Sequence, residues 1–285
     1  MQRLPFFKYH GLGNDFVVVD RRRVRVDLSA AQAQRICDRH FGVGADGVLS
    51  ILPADDADFR MHVYNADGSE AEMCGNGIRC VARHAIDAGL VRGDAVRIAT
   101  GAGVLTCDVR RGADGAVESI TVDMGRPELE RARIPVAGVG RMLREAVPAG
   151  DRTFEITAVS MGNPHAVIFG DGIADVELAT RYGPLVERNA ALFPRRTNVE
   201  FAQPRDGGFD VVVWERGCGI TLACGTGACA TAVAAVLNGL AKEGEEIGVR
   251  LPGGQLTITV APGLERVSMR GPAELVFAGE LSLRP

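Results

Sequence analysis

The chain carries an internal repeat, and nothing else in it constrains the fold as strongly. The segment CGNGIRCVARHAIDAGL, from Cys74 to Leu90, recurs 150 positions later as CGTGACATAVAAVLNGL, from Cys224 to Leu240. Both copies open on Cys-Gly-x-Gly and close on Gly-Leu, with no insertion between those anchors. Upstream, LGNDFVV from Leu12 matches MGNPHAV from Met161, which sets Gly13 and Asn14 against Gly162 and Asn163. Downstream, VRIATGAG and VRLPGG read as paired strands around glycine turns, and MGRP at Met124 resembles MRGP at Met269. Glycine turns and Ala/Val-rich helices look alike anywhere, so no single match decides the matter. Their shared order does. The repeat predicts two homologous halves, residues 1–128 and 150–285, joined by a connector at 129–149 that holds a short helix or strand.

Within each half the pattern is mostly strand. FVVVD, HVYN, VRIAT, VLTCDV and SITVDMG in the first, and HAVIF, FDVVVW, VRL and LTITVAP in the second, are short, β-branched and bounded by Gly, Asp or Asn. One long helix is expected just after each Cys-Gly-x-Gly. In the first, Ile78, Val81, Ala82, Ala85 and Ile86 follow helical spacing, with Arg79, Arg83 and His84 on the other faces. In the second, Ala228 to Leu237 is apolar on almost every face, as in a helix enclosed by sheet. Gly89 and Gly239 are the expected stops. Further helices around Ser29–Arg39 and Ala174–Asn189 are expected outside. The predicted class is α+β: two pseudo-symmetric domains, each a curved, mostly antiparallel sheet around a central helix, with the active site in the cleft between them.

A chain of 285 residues with a net charge of -4 has the length of two ordinary domains and no basic footprint for nucleic acid or an anionic membrane. A small-molecule partner is expected instead. The uncharged run from Gly217 to Ala241 is broken by glycines and is too short in its apolar part to span a bilayer. Seven cysteines, an odd number, and an N-terminus without a signal-like apolar core predict free thiols and a cytoplasmic location. Only two lysines occur, Lys8 and Lys242, and neither has a setting recognisable for a pyridoxal Schiff base. No cofactor is expected. Cys74 and Cys80 lack structural zinc spacing and no Cys-x-x-Cys is present, so neither a metal nor a disulfide redox centre is expected.

Cys74 and Cys224 each precede a helix, where unpaired N–H groups and the helix dipole favour a thiolate. The glycines beside them leave the backbone amides exposed to an anion such as a carboxylate. If the halves face each other about a pseudo-twofold axis, the two thiols approach one carbon from opposite sides. That arrangement inverts a stereocentre: one sulfur removes a proton, the other returns one, and the amides of Gly75, Asn76, Gly225 and Thr226 hold the charge that develops on the carboxylate. One thiolate and one thiol must coexist, so the pair is expected to titrate as a coupled system.

The motifs FFKYHGLGNDFVVVD, FGVGADG, YNADGSEAEMCGNGIRC, SMGNPHAV, TNVEF, ERGCGITLACGTGACA and LPGG resemble the diaminopimelate epimerases, in order along essentially the whole chain. The resemblance implies cofactor-independent interconversion of LL- and meso-2,6-diaminoheptanedioate in lysine and peptidoglycan precursor synthesis, by two similar halves with the site between them. Carried over motif by motif, it implies Cys74 and Cys224 as the acid/base pair. Asn14, Asn65, Gly75, Asn76, Asn163, Asn198, Glu215, Arg216, Gly225 and Thr226 are implied substrate contacts. His165 and Glu215 match positions linked to catalysis, by placing the substrate amine or tuning the thiols. A homodimer is compatible with this reading.

Two positions depart from the pattern. Gly47 stands where some members carry a glutamine that reaches substrate, and Cys218 and Ile220 stand where a different small residue and a glutamate are common. Rival readings remain: a proline or hydroxyproline racemase would share the mechanism, and a non-enzymatic binder would keep Arg216 and the glycine cradles without needing paired thiols. Cys37, Cys80, Cys107 and Cys229 are expected in the core.

Overall fold

The structure is a computed structural model that describes residues 2–22 and 27–283. It divides into two compact units, Met1–Val122 together with Gly271–Pro285, and Asp123–Arg270. In chain order the first unit holds β1 (Gln2–Gly11), β2 (Asn14–Asp20), α1 (Ala30–Cys37), β3 (Gly47–Leu52), β4 (Phe59–Asn65), β5 (Glu70–Ala71), α2 (Gly75–Asp87), β6 (Ala95–Thr100), β7 (Gly103–Arg111) and β8 (Val117–Asp123). The second holds β9 (Glu145–Ala149), β10 (Arg152–Ser160), β11 (Pro164–Phe169), α3 (Val176–Glu187), β12 (Asn198–Arg205), β13 (Gly208–Glu215), β14 (Gly219–Ile220), α4 (Gly225–Leu237), β15 (Glu246–Leu251), β16 (Gly254–Val260) and β17 (Val267–Gly271). A last strand, β18 (Glu274–Leu283), pairs antiparallel with β1 and so belongs to the first unit.

The two sheets repeat one another pairing by pairing. The first runs β18-β1-β2-β3-β4-β6-β7-β8, antiparallel except for β2–β3 and β4–β6. The second runs β9-β10-β11-β12-β13-β15-β16-β17, antiparallel except for β11–β12 and β13–β15. The short β5 and β14 hang on β4 and β13 in equivalent places. Each parallel pair is bridged by a helix, because parallel neighbours need a crossover. The predicted class, α+β with pseudo-symmetric, mostly antiparallel sheets around a helix, is what the fold shows.

The units cut the chain differently from the sequence-based halves. Residues 129–149 carry a short strand, as expected, in β9, which pairs with β10, but they fold with the second unit: Leu129, Ile134, Val136, Met142 and Val147 are buried, four of them in the core beneath β10–β13. That apolar content is the physical reason the segment folds as part of the second unit. Conversely, the last strand leaves the second half because β1 offers it an open edge.

Both central helices start and stop as expected. Cys74 and Cys224 are extended N-caps, with φ of -137° and -119°, and each sulfur accepts the N–H three residues on. At the far end Gly89 and Gly239 adopt φ of +64° and +73°, and Leu90 and Leu240 donate back to the carbonyls of Ala85 and Ala235, closing both helices in a Schellman motif. α4 is buried from Ala228 to Ala235. α2 departs from expectation: Arg79 and His84, placed by spacing away from the core, are 0% and 2% exposed.

Candidate active site

Each Cys-Gly-x-Gly turn presents a sulfur over the first turn of its helix. The Gly77 and Gly227 amides donate to Cys74 Sγ and Cys224 Sγ, both at 3.3 Å. The amides of Gly75, Asn76, Gly225 and Thr226 occupy the first two helical positions, outside the helix's own hydrogen-bond ladder. This sets each sulfur beside two backbone amides that are not part of the helix ladder. Cys74 is half-buried, and Cys224 is buried, with Thr226 Oγ1 3.5 Å from its sulfur.

Around Cys74 a polar chain runs through the first unit. The buried Arg79 guanidinium donates to the Gly75 carbonyl at 3.1 Å and to Asn76 Oδ1 at 2.9 Å. Asn76 donates in turn to Asn14 Oδ1 at 3.1 Å, and Asn14 donates to Asp46 at 2.8 Å. Arg39 joins Asp46 to Asp15, and Lys8, almost fully buried, pairs with Asp15 and the Gly44 carbonyl. Asn65 lies outside this chain, exposed at the end of β4 and donating to Ser69 Oγ at 2.9 Å. At Gly47 the departure has a steric side: a Cβ there would lie 2.6 Å from the Tyr64 carbonyl oxygen, so the strand pairing leaves no room for a side chain without a shift.

Around Cys224 the second unit is built differently. His165, on β11, and Glu200, on β12, are both fully buried; His165 Nδ1 lies 2.7 Å from Glu200 Oε1 and Nε2 lies 2.9 Å from Asn163 Oδ1. Asn198 brackets the neighbouring turn, accepting from the Arg216 amide at 2.8 Å and donating to the Pro164 carbonyl at 3.0 Å. The exposed Arg216 guanidinium reaches the Arg195 carbonyl, and Glu215 accepts from Thr221 Oγ1 at 2.6 Å. The buried Glu187 carboxylate holds the same turn from behind, taking the Gly217 amide at 3.0 Å and Trp214 Nε1 at 2.8 Å. Cys218 is exposed and Ile220 half-buried.

The electrostatics of Cys224 reverse one expectation. Burial first, then the nearby Glu215 and Glu200 carboxylates, push its thiol well above the ordinary thiol range; the Thr226 and Gly227 hydrogen bonds pull the other way without winning. A helix N-terminus alone does not make this thiol acidic, because losing water outweighs half a unit of dipole charge. Glu200 is likewise pushed up by burial, partly offset by His165. Cys37 is raised to about 11, and Cys80 and Cys107 to about 12, all chiefly by burial, as for core thiols.

Sequence alone pointed to Cys74, Cys224, His165, Asn163, Asn198 and Glu215 but passed over Glu200, Glu187, Asp46 and the buried Arg79. Glu200 left one trace, an acid set between the apolar Val199 and Phe201 of TNVEF. Among the described residues, no group of three or more His, Cys, Asp or Glu side chains could hold a metal, and no helix is long and apolar enough to cross a membrane.

Residues 6–130 and 157–276 match the family described as Diaminopimelate epimerase. The Diaminopimelate epimerase of Pelotomaculum thermopropionicum is 50% identical over 287 residues, covering 99% of this chain and 100% of the relative. Among solved structures, a PhzF-family phenazine biosynthesis protein of Bacillus anthracis superposes with a TM-score of 0.73 at 18% identity, covering 99% of this chain and 100% of that one. A hydroxyproline epimerase of Agrobacterium vitis, with bound trans-4-OH-L-proline, gives 0.70 at 17%, over 99% and 91%. At such identities the structural likeness speaks to fold alone.

Proposed function

This chain belongs to the diaminopimelate epimerase family, and on that premise we propose that Cys74 and Cys224 are its acid/base pair, inverting one α-carbon of diaminopimelate without a cofactor. The enzyme is an isomerase, and its substrate is a small molecule. The observation that carries the mechanism is the duplicated turn: each unit caps its central helix with a cysteine whose sulfur sits beside two unladdered amides.

In the forward step one sulfur, as thiolate, takes the α-proton of the LL isomer, and the electron pair left on carbon delocalises into the adjoining carboxylate. The amides of Gly75, Asn76, Gly225 and Thr226 stabilise that charge. The other sulfur, as thiol, delivers its proton to the opposite face and is left as thiolate. One proton is lost and one gained, with no redox change. The thiols then stand in exchanged protonation states, which is the state the reverse reaction needs. Asn14, Asn65, Asn163, Asn198, Glu215 and Arg216 bind the ammonium and carboxylate groups, Arg216 pairing with the distal carboxylate. His165, enclosed by Glu200 and Asn163, acts on the site through Asn163. With no side chain, Gly47 contributes no contact to that set.

The reading also places the enzyme in the cytoplasm, in lysine and peptidoglycan precursor synthesis, and takes a homodimer as its assembly, which light scattering of the purified chain tests. The decisive experiment incubates metal-free, pyridoxal-free protein with LL-diaminopimelate in deuterated water. The meso isomer should form with solvent deuterium at the inverted carbon. No turnover, product without label, or faster reaction with L-proline or trans-4-hydroxy-L-proline would overturn the reading.

A further inference from the structure

The position of Glu200 is one that stability does not explain. Its side chain is fully buried, Oε1 meets His165 Nδ1, and Oε2 is buried with no hydrogen-bond partner. A buried carboxylate with half its hydrogen-bonding capacity unmet destabilises a fold relative to an apolar residue of the same shape. The other unit holds that residue. The register of β11 on β12 sets Val167 against Glu200, and that of β2 on β3 sets Val18 against Leu49. The same step places Phe16 where the second unit has His165. An apolar pair thus occupies the positions where the second unit carries an acid and an imidazole.

We propose that Glu200 is a positioning residue: through the His165 ring it fixes the carboxamide of Asn163 so that its Nδ2 hydrogens are presented to the carboxylate of a bound amino acid. This deepens the functional reading and rests on Asn163 being a substrate contact. Two arrangements leave the buried pair without net charge and let Nε2 donate. In one, Glu200 is ionised and an imidazolium donates from both nitrogens; in the other, a Glu200 carboxylic acid donates to Nδ1 and the neutral ring keeps its hydrogen on Nε2. A neutral acid with its proton on Oε2 against a ring with its hydrogen on Nδ1 would set a bare Nε2 against the Asn163 oxygen, two acceptors 2.9 Å apart, and leave the acid O–H without an acceptor; an ionised Glu200 against that ring leaves an unbalanced charge between two side chains with no exposure. The other titratable groups facing Glu200 are Glu215, from β13, and Cys224, from the cap of α4. Neither supplies a positive charge to balance it. The arrangements that satisfy both charge and hydrogen bonding therefore put a hydrogen on Nε2, which donates to Asn163 Oδ1 at 2.9 Å. The amide is then locked with its oxygen on the ring and its NH2 directed away. Asn14, its counterpart, spends Oδ1 on Asn76 and Nδ2 on Asp46.

The test is ¹⁵N-histidine NMR of the full chain, with the His165 signals identified by their loss in His165→Gln, alongside steady-state kinetics. The wild type should show a protonated Nε2 from about pH 6 to 8. Glu200→Gln, whose amide can donate to Nδ1 as the carboxylic acid does, should keep that nitrogen protonated and hold KM within about threefold. Glu200→Leu should lose the single protonation pattern and raise KM for diaminopimelate by about tenfold or more, with a smaller change in kcat. A bare Nε2 in the wild type, or a Glu200→Leu enzyme with unchanged KM, overturns the proposal. The nitrogen signals need no turnover, so they judge the positioning role even if the assay fails to show epimerisation.

Discussion

The two cysteine turns share a backbone and differ in what lies beneath them. A Cβ added at Gly77 would meet the Leu49 methyls at 3.1 and 3.2 Å, whereas one at Gly227 would meet Glu200 Oε1 at 2.9 Å and Cys224 Sγ at 3.2 Å. The first turn rests on hydrocarbon and draws its polarity from the side, through Arg79, Asn76 and Asn14. The second rests on a buried acid that His165 partly neutralises. Duplication therefore fixed the position of a sulfur and its amide donors, while the charge around each sulfur was left to residues that differ between copies. In the proposed mechanism the two thiols occupy opposite protonation states, and there such asymmetry is a physical advantage, since identical surroundings would give neither thiol a preference.

The largest effect that could break this comparison concerns the sulfurs themselves. Cys74→Ala and Cys224→Ala should each lower kcat by about 10²–10⁴-fold, because each removes a direct proton-transfer partner. Near-normal turnover in either variant would show that the turns are not functionally paired. Next in size is the His165–Glu200 pair. His165→Phe alone strands a buried acid and should cost about 3–5 kcal/mol in denaturant unfolding, while His165→Phe with Glu200→Leu, which rebuilds the Phe16–Leu49 pair, should be neutral or stabilising. The sign with pH is set by burial, which holds Glu200 above the ordinary carboxylate range. Below the unfolded value of about 4 both states are protonated; as pH rises past it the unfolded chain sheds its proton first, so His165→Phe should lose stability as pH increases. A double variant no more stable than the single would sink the comparison.

Smaller effects sharpen it. Gly227→Ala drives a methyl against a carboxylate and a sulfur and should cost about 1–3 kcal/mol as well as activity, whereas Gly77→Ala meets rotatable Leu49 methyls first, with the Cys74 Cβ at 3.3 Å, and should cost less. Equal melting shifts would deny the difference in packing. Finally, with its thiol pushed up by burial and two carboxylates, Cys224 should alkylate with iodoacetamide more slowly at about pH 8 than a free cysteine, and Glu215→Gln should speed it. Peptide mapping that finds Cys224 ionising at or below the free-thiol value would contradict the electrostatics described above.

Much of the fold was legible because its strongest signals are local. The two Cys-Gly-x-Gly turns, the helices after them and their glycine stops depend on neighbouring residues, and duplication made them stand out. Strands such as β1 and β18 were not, since QRLPFFKYHG mixes proline and lysine into its run, and its first half pairs with residues more than 260 positions away. That the connector belongs to the second unit was not legible, because Ile134, Val136 and Met142 find their partners only once β10–β13 are in place. In the site, Cys74 and Cys224 could be read from repetition and family resemblance. Glu200 and Asp46 could not, since their meaning lies in His165 and Asn14, 35 and 32 residues away, and only strand registry brings them together. The behaviour of Cys224 was hidden for a related reason: the helix terminus is visible in sequence, but burial and two carboxylates are not.

The return of β18 to β1 has a consequence for how the protein is made. The second unit is one unbroken stretch, Asp123–Arg270, whereas the first needs residues from both ends of the chain. During synthesis the lobe begun first is thus the last to be finished: its β1 edge stays open until β18, which follows the whole of the second lobe in the chain, can reach it.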